Sequence, residues 1–126
     1  MAYTFHNLNN GGTKLINATA TGSADTIVTN ATNTDTFITN IILHNSHTEA
    51  ITVTLCHVED NVNAVGTDSV TSEFFQQSIA ASDTVFLSAK GGDAIIILED
   101  TNDTLQAYAS IADKVNIFVY GAKKTT

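Results

Sequence analysis

The strongest constraint on this chain is a period of two. Leu105, Ala107 and Ala109 alternate with Gln106 and Tyr108, and Val115, Ile117 and Val119 alternate with Asn116, Phe118 and Tyr120. A strand sends successive side chains to opposite faces, so such runs read as strands with one face buried. Phe37–Asn45 places Phe37, Thr39, Ile41 and Leu43 on one face, with Ile38, Ile42 and His44 on the other. Ile51–Asp60 sets Ile51, Val53, Leu55 and His57 against Thr52, Thr54, Cys56 and Val58. The short connector Ser46–Ala50 predicts that these two strands pair as a hairpin.

Weaker versions of the pattern fill the rest. Lys14–Thr21, Asp25–Thr32, Glu73–Ala80 and Asp83–Ala89 read as strands, the last with Val85 and Leu87 on one face. Ala94–Glu99 is apolar throughout and suits a strand buried on both sides or covered by an assembly partner. Lys90-Gly91-Gly92-Asp93 and Glu99–Asp103 are turn signals, and Asn61–Thr71 is a polar loop. The chain has no proline, and threonine, valine and isoleucine abound, a composition that favours strands. Short strands at roughly ten-residue spacing predict an all-β antiparallel sandwich, jelly-roll or immunoglobulin-like, of about eight to nine strands. Residues 1–12 read as an extended N-terminal arm, because Tyr3, Phe5 and Leu8 lack a neighbouring core element. Residues 13–122 form the sandwich and 123–126 a polar tail.

Charge narrows the partners. Thirteen acidic residues face five basic ones, all lysines, for a formal charge of −8. A nucleic-acid reader needs cations against phosphate and favours arginine at base edges, so no nucleic-acid partner is expected. The same charge argues against anionic membranes, and no apolar run reaches membrane-spanning length. Met1–Asn10 lacks the basic and apolar regions of a secretory signal, so synthesis in the cytoplasm is expected. The lone cysteine, Cys56, forms no internal disulfide and reads as a small buried hydrophobe. Three Asn-x-Thr sequons, at Asn17, Asn30 and Asn102, follow from a composition rich in both residues.

The residues with chemical potential do not assemble into a motif. His44, His47, Cys56 and His57 include zinc-ligand types, but Cys56 and His57 are adjacent on a strand and face opposite ways. Asp60–Asn63 and Glu99–Asp103 offer oxygen ligands of the kind calcium takes, without the twelve-residue EF-hand pattern. No nucleophile elbow occurs. A chain with no tryptophan and few aromatics has little with which to line a glycoside-cleaving cleft. No catalytic residue, cofactor or metal is expected.

Five segments in order carry a resemblance. They are Phe-Ile-Thr-Asn-Ile-Ile-Leu-His-Asn at 37–45, Ala-Ile-Thr-Val-Thr-Leu at 50–55, Ile-Ala-Ala-Ser-Asp-Thr-Val-Phe-Leu at 79–87, Asp-Thr-Leu-Gln-Ala-Tyr-Ala-Ser at 103–110 and Val-Asn-Ile-Phe-Val-Tyr-Gly at 115–121. Together they resemble the small β-sandwich structural proteins of tailed-bacteriophage virions, common in marine phages. Ala81-Ser82-Asp83 stands where that family usually has a proline. The resemblance implies a non-enzymatic capsid decoration protein on the outer surface of the head, bound to the major capsid protein and self-associating, with trimers favoured. A neck, tail or head-fibre adaptor is the alternative within that family, and a glycan-binding module on the particle is the alternative outside it. Tyr3, Phe5 and Leu8 of the arm and the outward aromatics Phe118 and Tyr120 are the candidate partner-facing residues.

Overall fold

The computed structural model describes residues 4–16, 24–59, 73–90 and 93–126, with Thr4 and Phe5 described in their backbone only. Ten strands follow in order: β1 Thr4–Asn7, β2 Thr13–Lys14, β3 Asp25–Thr29, β4 Thr34–Asn45, β5 Ile51–Val58, β6 Glu73–Ile79, β7 Thr84–Ser88, β8 Ile96–Leu98, β9 Thr104–Ala109 and β10 Val115–Thr125. No α-helix occurs among the described residues.

The strands form two antiparallel sheets. The six-stranded sheet runs β1-β10-β4-β7, with β2 beside β10 and β8 beside β4. The four-stranded sheet runs β3-β9-β5-β6. β1 and β2 occupy successive stretches of one β10 edge, and β7 and β8 successive stretches of one β4 edge. Counting each pair as one position leaves eight, and every connection between them except β5 to β6 crosses from one sheet to the other. That alternation is jelly-roll topology, which decides between the two sandwich types left open by the sequence.

The crossing corrects one expectation. β4 and β5 do not pair as a hairpin. β4 bonds to β10, β7 and β8, while β5 bonds to β6 and β9. The connector Ser46–Ala50 arches between the sheets, and both strands thereby turn an apolar face into one core. Ile38, Ile41 and Leu43 meet Ile51, Val53, Leu55, Leu105, Ala107, Ile117 and Val119 in a single buried cluster. Removing each of the large aliphatics from water contributes about 1.5–3 kcal/mol.

The alternation on β4 is broken by a bulge. Tyr120 pairs with Asn40 but Gly121 pairs with Ile38, leaving Thr39 as an extra residue. One inserted residue reverses the faces beyond it. Ile38 and Thr36 therefore point inward with Ile41, Leu43 and Asn45, and Phe37 points outward, the reverse of its expected face.

The first and last strands of the described residues lie near the two termini. Thr4–Asn7 pairs with Tyr120–Lys123, so this part of residues 1–12 is docked along β10. Its partner lies at the far end of the sequence, which is why no neighbouring core element was visible. Lys123–Thr125, expected as tail, pairs with Thr34–Thr36.

Three buried asparagines tie the loops to the sheets. Asn9 donates from Nδ2 to the Ile117 carbonyl at 2.9 Å and accepts from the Val119 N–H at 3.1 Å. Asn30 donates to the carbonyls of Thr34 and Asp100, at 2.7 and 3.0 Å, and accepts from the Thr36 hydroxyl at 2.6 Å. Asn45 donates to the carbonyls of Glu49, Ile79 and Ala80 and accepts from the His47 N–H. Buried loop backbone must find such partners, and a side-chain amide offers both a donor and an acceptor.

Candidate protein-docking face

The outer face of the six-stranded sheet is built by cross-strand register. Phe118 lies opposite Ile42, and Ile42 opposite Phe86. One row along, Tyr120 lies opposite Asn40, and Asn40 opposite Ser88. The next row sets Ala122 opposite Phe37 and Phe37 opposite Ile97. Two apolar rows thus flank a more polar one. Phe86 is 73% exposed, Tyr120 39% and Ile97 38%. Scattered exposed hydrophobes are ordinary, whereas contiguous ones mark interaction surfaces. The four-stranded sheet turns Thr52, Thr54, Cys56, Gln76, Gln106 and Tyr108 outward, a more polar set, with Phe74 exposed singly at the β6 bulge.

Charge divides between the sheets as well. Lys14, Lys123 and Lys124 lie on strands of the six-stranded sheet, Lys114 directly precedes β10, and Lys90 follows β7. Asp35 is the one carboxylate on strands of that sheet, whereas the four-stranded sheet carries Asp25 and Glu73 and no lysine on its strands. All the lysines of this −8 chain thus lie on or beside the sheet with the apolar face, together with the carboxylates Asp83, Glu99 and Asp113 that flank its strands.

The five candidate residues fall differently on this frame. Tyr3 and the side chain of Phe5 lie outside the described residues. Leu8 is half-buried against the core rather than facing outward, with its N–H donating to the Val119 carbonyl at 2.8 Å. Phe118 faces outward but is half-buried beneath the Asn9–Thr13 turn. A Cβ on Gly12 would stand 2.6 Å from its ring, and the left-handed φ of +131° at Gly12 is itself one that glycine tolerates. Tyr120 is exposed and lines a shallow cavity of about 280 Å³ with His6, Thr39, Asn40 and Gly121. The residues missed were Phe37, Ile42 and Phe86, while Ile97 lies in the Ala94–Glu99 run read as buried on both sides or covered by a partner. For Phe86 a signal was present, since Val85 and Leu87 on one face put it on the other. For Phe37 the bulge hid it.

The chemically suggestive residues are dispersed. His44 lies on the outer face of the six-stranded sheet, its Nδ1 2.9 Å from the Thr84 hydroxyl. His47 pairs with Glu49 at 3.6 Å across the arch. Cys56 is fully buried on the other sheet, and burial, reinforced by the Glu73 carboxylate, pushes its thiol up to about 12. Such a thiol is neutral at ordinary pH and a poor nucleophile. Beside it, the Tyr108 hydroxyl donates to Glu73 at 2.6 Å, and burial together with that bond raises the phenol above its usual range. Among the described residues no three His, Cys, Asp or Glu side chains converge as a metal would need. The Asn30 amide is buried and its nitrogen is engaged, which closes that sequon.

No protein-family model matches the chain, and no curated protein matches it. Among solved structures, the chain is similar to the CBM22-1–GH10 modules of the Clostridium thermocellum endo-1,4-β-D-xylanase 10B, solved with xylohexaose, at 14% identity and a TM-score of 0.45. The match covers 98% of this chain and 25% of that one, so the chain spans about a quarter of that structure's length.

Proposed function

We propose that this chain is a non-enzymatic structural protein of a phage virion, a decoration or head-accessory module that seats the outer face of its six-stranded sheet on a shell of capsid subunits. The observation that carries the reading is the row Phe118–Ile42–Phe86 with its neighbour Ala122–Phe37–Ile97, an apolar face on a chain otherwise strongly acidic. The lysines on and beside that sheet, set among Asp35, Asp83, Glu99 and Asp113, fit a partner surface of mixed charge with an apolar centre, and complementary potentials steer such encounters. A small rigid domain repeated over a symmetric shell gains avidity without needing a deep pocket. The inert thiol and dispersed histidines suit a part whose work is contact.

The test is the number of copies per particle, by mass spectrometry of gradient-purified virions from cells producing the chain. Hundreds of copies support decoration, tens or fewer move the chain to the neck or tail, and none removes the reading. Ile42→Glu places a carboxylate at the centre of the face, away from every sheet edge. With the fold checked by circular dichroism, this variant is expected to be lost from particles.

A second reading has one specific observation in its favour. The cavity beside Tyr120 joins an exposed aromatic ring to the side chains of His6, Thr39 and Asn40, and an aromatic face with convergent polar groups is a sugar-binding combination. A glycan array probed with the protein decides it, with Tyr120→Ala abolishing any signal. A blank array removes the glycan reading and leaves the docking reading untouched.

A further inference from the structure

We propose that β7 pairs antiparallel with β7 of a second copy, about a two-fold axis at Phe86, extending the six-stranded sheet across two chains. Edge strands invite such pairing, and proteins guard them with charge, proline, bulges or interruption. Two of the four sheet edges here carry both a charge and a bulge. β3 carries Asp25 and a bulge at Ile27. β6 carries Glu73 and a bulge at Phe74. The first edge is split between β1 and β2 by the Asn9–Gly12 turn. The fourth edge is split as well, between β7 and β8, but β7 is the longest stretch on either split edge, and Thr84-Val85-Phe86-Leu87-Ser88 is uncharged, proline-free and in unbroken register with β4.

The hydrogen-bond phase fits. The Asn45 N–H donates to the Asp83 carbonyl at 3.0 Å and the Ala89 N–H to the Thr39 carbonyl at 3.2 Å. Antiparallel bonding alternates along a strand. Residues 83, 85, 87 and 89 therefore bond inward to β4, and Thr84, Phe86 and Ser88 turn their backbone groups to the open edge. A two-fold axis at Phe86 makes it a hydrogen-bonded pair with the second copy's Phe86, at a Cα separation of about 5.5 Å, and sets Thr84 opposite the second copy's Ser88. The two exposed Phe86 rings then lie side by side on one face, a favourable cross-strand pair.

Charge commits the edge to its own copy. Asp83 and Lys90 bracket β7 at opposite ends, both exposed. Among the described residues neither is in an ion pair within its own chain. In this register Asp83 falls opposite the second copy's Ala89. Lys90 beyond it has left the strand for a turn, so alternation does not hold it to the other face and its long side chain can reach Asp83; the symmetry repeats the match. Asp83 spends one oxygen on the Thr84 N–H at 2.9 Å, leaving the other for the ammonium. A C₂ interface must be self-complementary, and this edge is, in shape, hydrogen bonding and charge.

Sedimentation equilibrium of the full chain over a concentration series tests the proposal. The expected species is a dimer of the 13.3 kDa chain. Lys90→Glu alone and Asp83→Lys alone each replace attraction by repulsion at both ends of the pairing, and each weakens self-association roughly tenfold. An equimolar mixture of the two variants recovers dimer, because each introduced charge meets its opposite on the other chain. Asp83→Lys also loses the bond to Thr84, so its fold is checked by circular dichroism. Should it fail to fold, Lys90→Glu and Phe86→Lys, both on exposed side chains, carry the test. A wild-type chain monomeric throughout, a trimer, or a dimer indifferent to Lys90→Glu and Phe86→Lys overturns the proposal.

Discussion

Gly121 sits directly on the carbonyl of Phe37. A Cβ on Gly121 would overlap that oxygen, with the Phe37 carbonyl carbon 2.9 Å away and the Ile38 Cα at 3.1 Å. The contact exists because Thr39 is the extra residue of the bulge, drawing β4 backbone across the residue opposite. The obstacle is backbone, which cannot swing aside as a side chain can. Gly121→Ala is therefore expected to destabilise by about 3 kcal/mol, the upper range for forced overpacking, lowering the denaturant midpoint with little change in slope. An unchanged midpoint would show that the bulge adapts freely.

The arch between β4 and β5 depends on one amide. Asn45 is fully buried, and its Nδ2 reaches the carbonyls of Glu49, Ile79 and Ala80 at 2.9, 3.0 and 3.2 Å. Asn45→Ala leaves those carbonyls without this donor and is expected to cost about 3 kcal/mol. Asn45→Asp should be worse, since a carboxylate cannot donate to a carbonyl and its charge would be buried. Thermal melts of the two variants check the order. An aspartate variant as stable as wild type would mean that the amide is not the clamp.

What could be read from the sequence follows the reach of the interactions involved. On β9 and on β10 through Val119, where no bulge intervenes, the inward residues Leu105, Ala107, Ala109, Val115, Ile117 and Val119 are the ones alternation names. On β4 the same rule failed at Thr39, because an extra residue is a property of the pairing and leaves no mark in the hydrophobic pattern. The Ser46–Ala50 connector misled for a related reason. Five residues can close a hairpin or arch between sheets, and the choice is made by β10 and β9, which come much later in the chain. The docking face was half visible. Phe118 and Tyr120 were outward by alternation, but the gathering of lysines on one sheet appears only once distant strands are assembled.

His57 carries a cost that no described residue relieves. It lies opposite Leu105 on β5, and its Nε2 is buried without a hydrogen-bond partner among the described residues. An unsatisfied buried polar atom costs about 1–3 kcal/mol. His57→Leu removes that atom with similar bulk and is expected to stabilise the chain by about 1 kcal/mol, read as a raised midpoint in urea. Destabilisation would imply that the imidazole holds a neighbour in place.

Cys56 sets the alkaline limit. Its thiol titrates near 9 in an unfolded chain and is pushed to about 12 in the fold, by burial first and the Glu73 carboxylate second. Between those values the folded chain holds a proton that the unfolded chain releases, so unfolding gains on folding as pH rises. The stabilisation is whole below pH 9 and declines as pH climbs towards 12, by up to about 4 kcal/mol at 1.36 kcal/mol per unit. Tyr108, also raised, adds to the loss at the upper end. Urea midpoints in alkaline buffers should fall for wild type and fall less steeply for Cys56→Ala, where the phenol alone remains. A thiol-specific chromogenic reagent at pH 8 should label Cys56 only after denaturant is added. Rapid labelling of the native chain, or parallel pH curves for the two proteins, would show that the thiol is not held in the way its burial indicates.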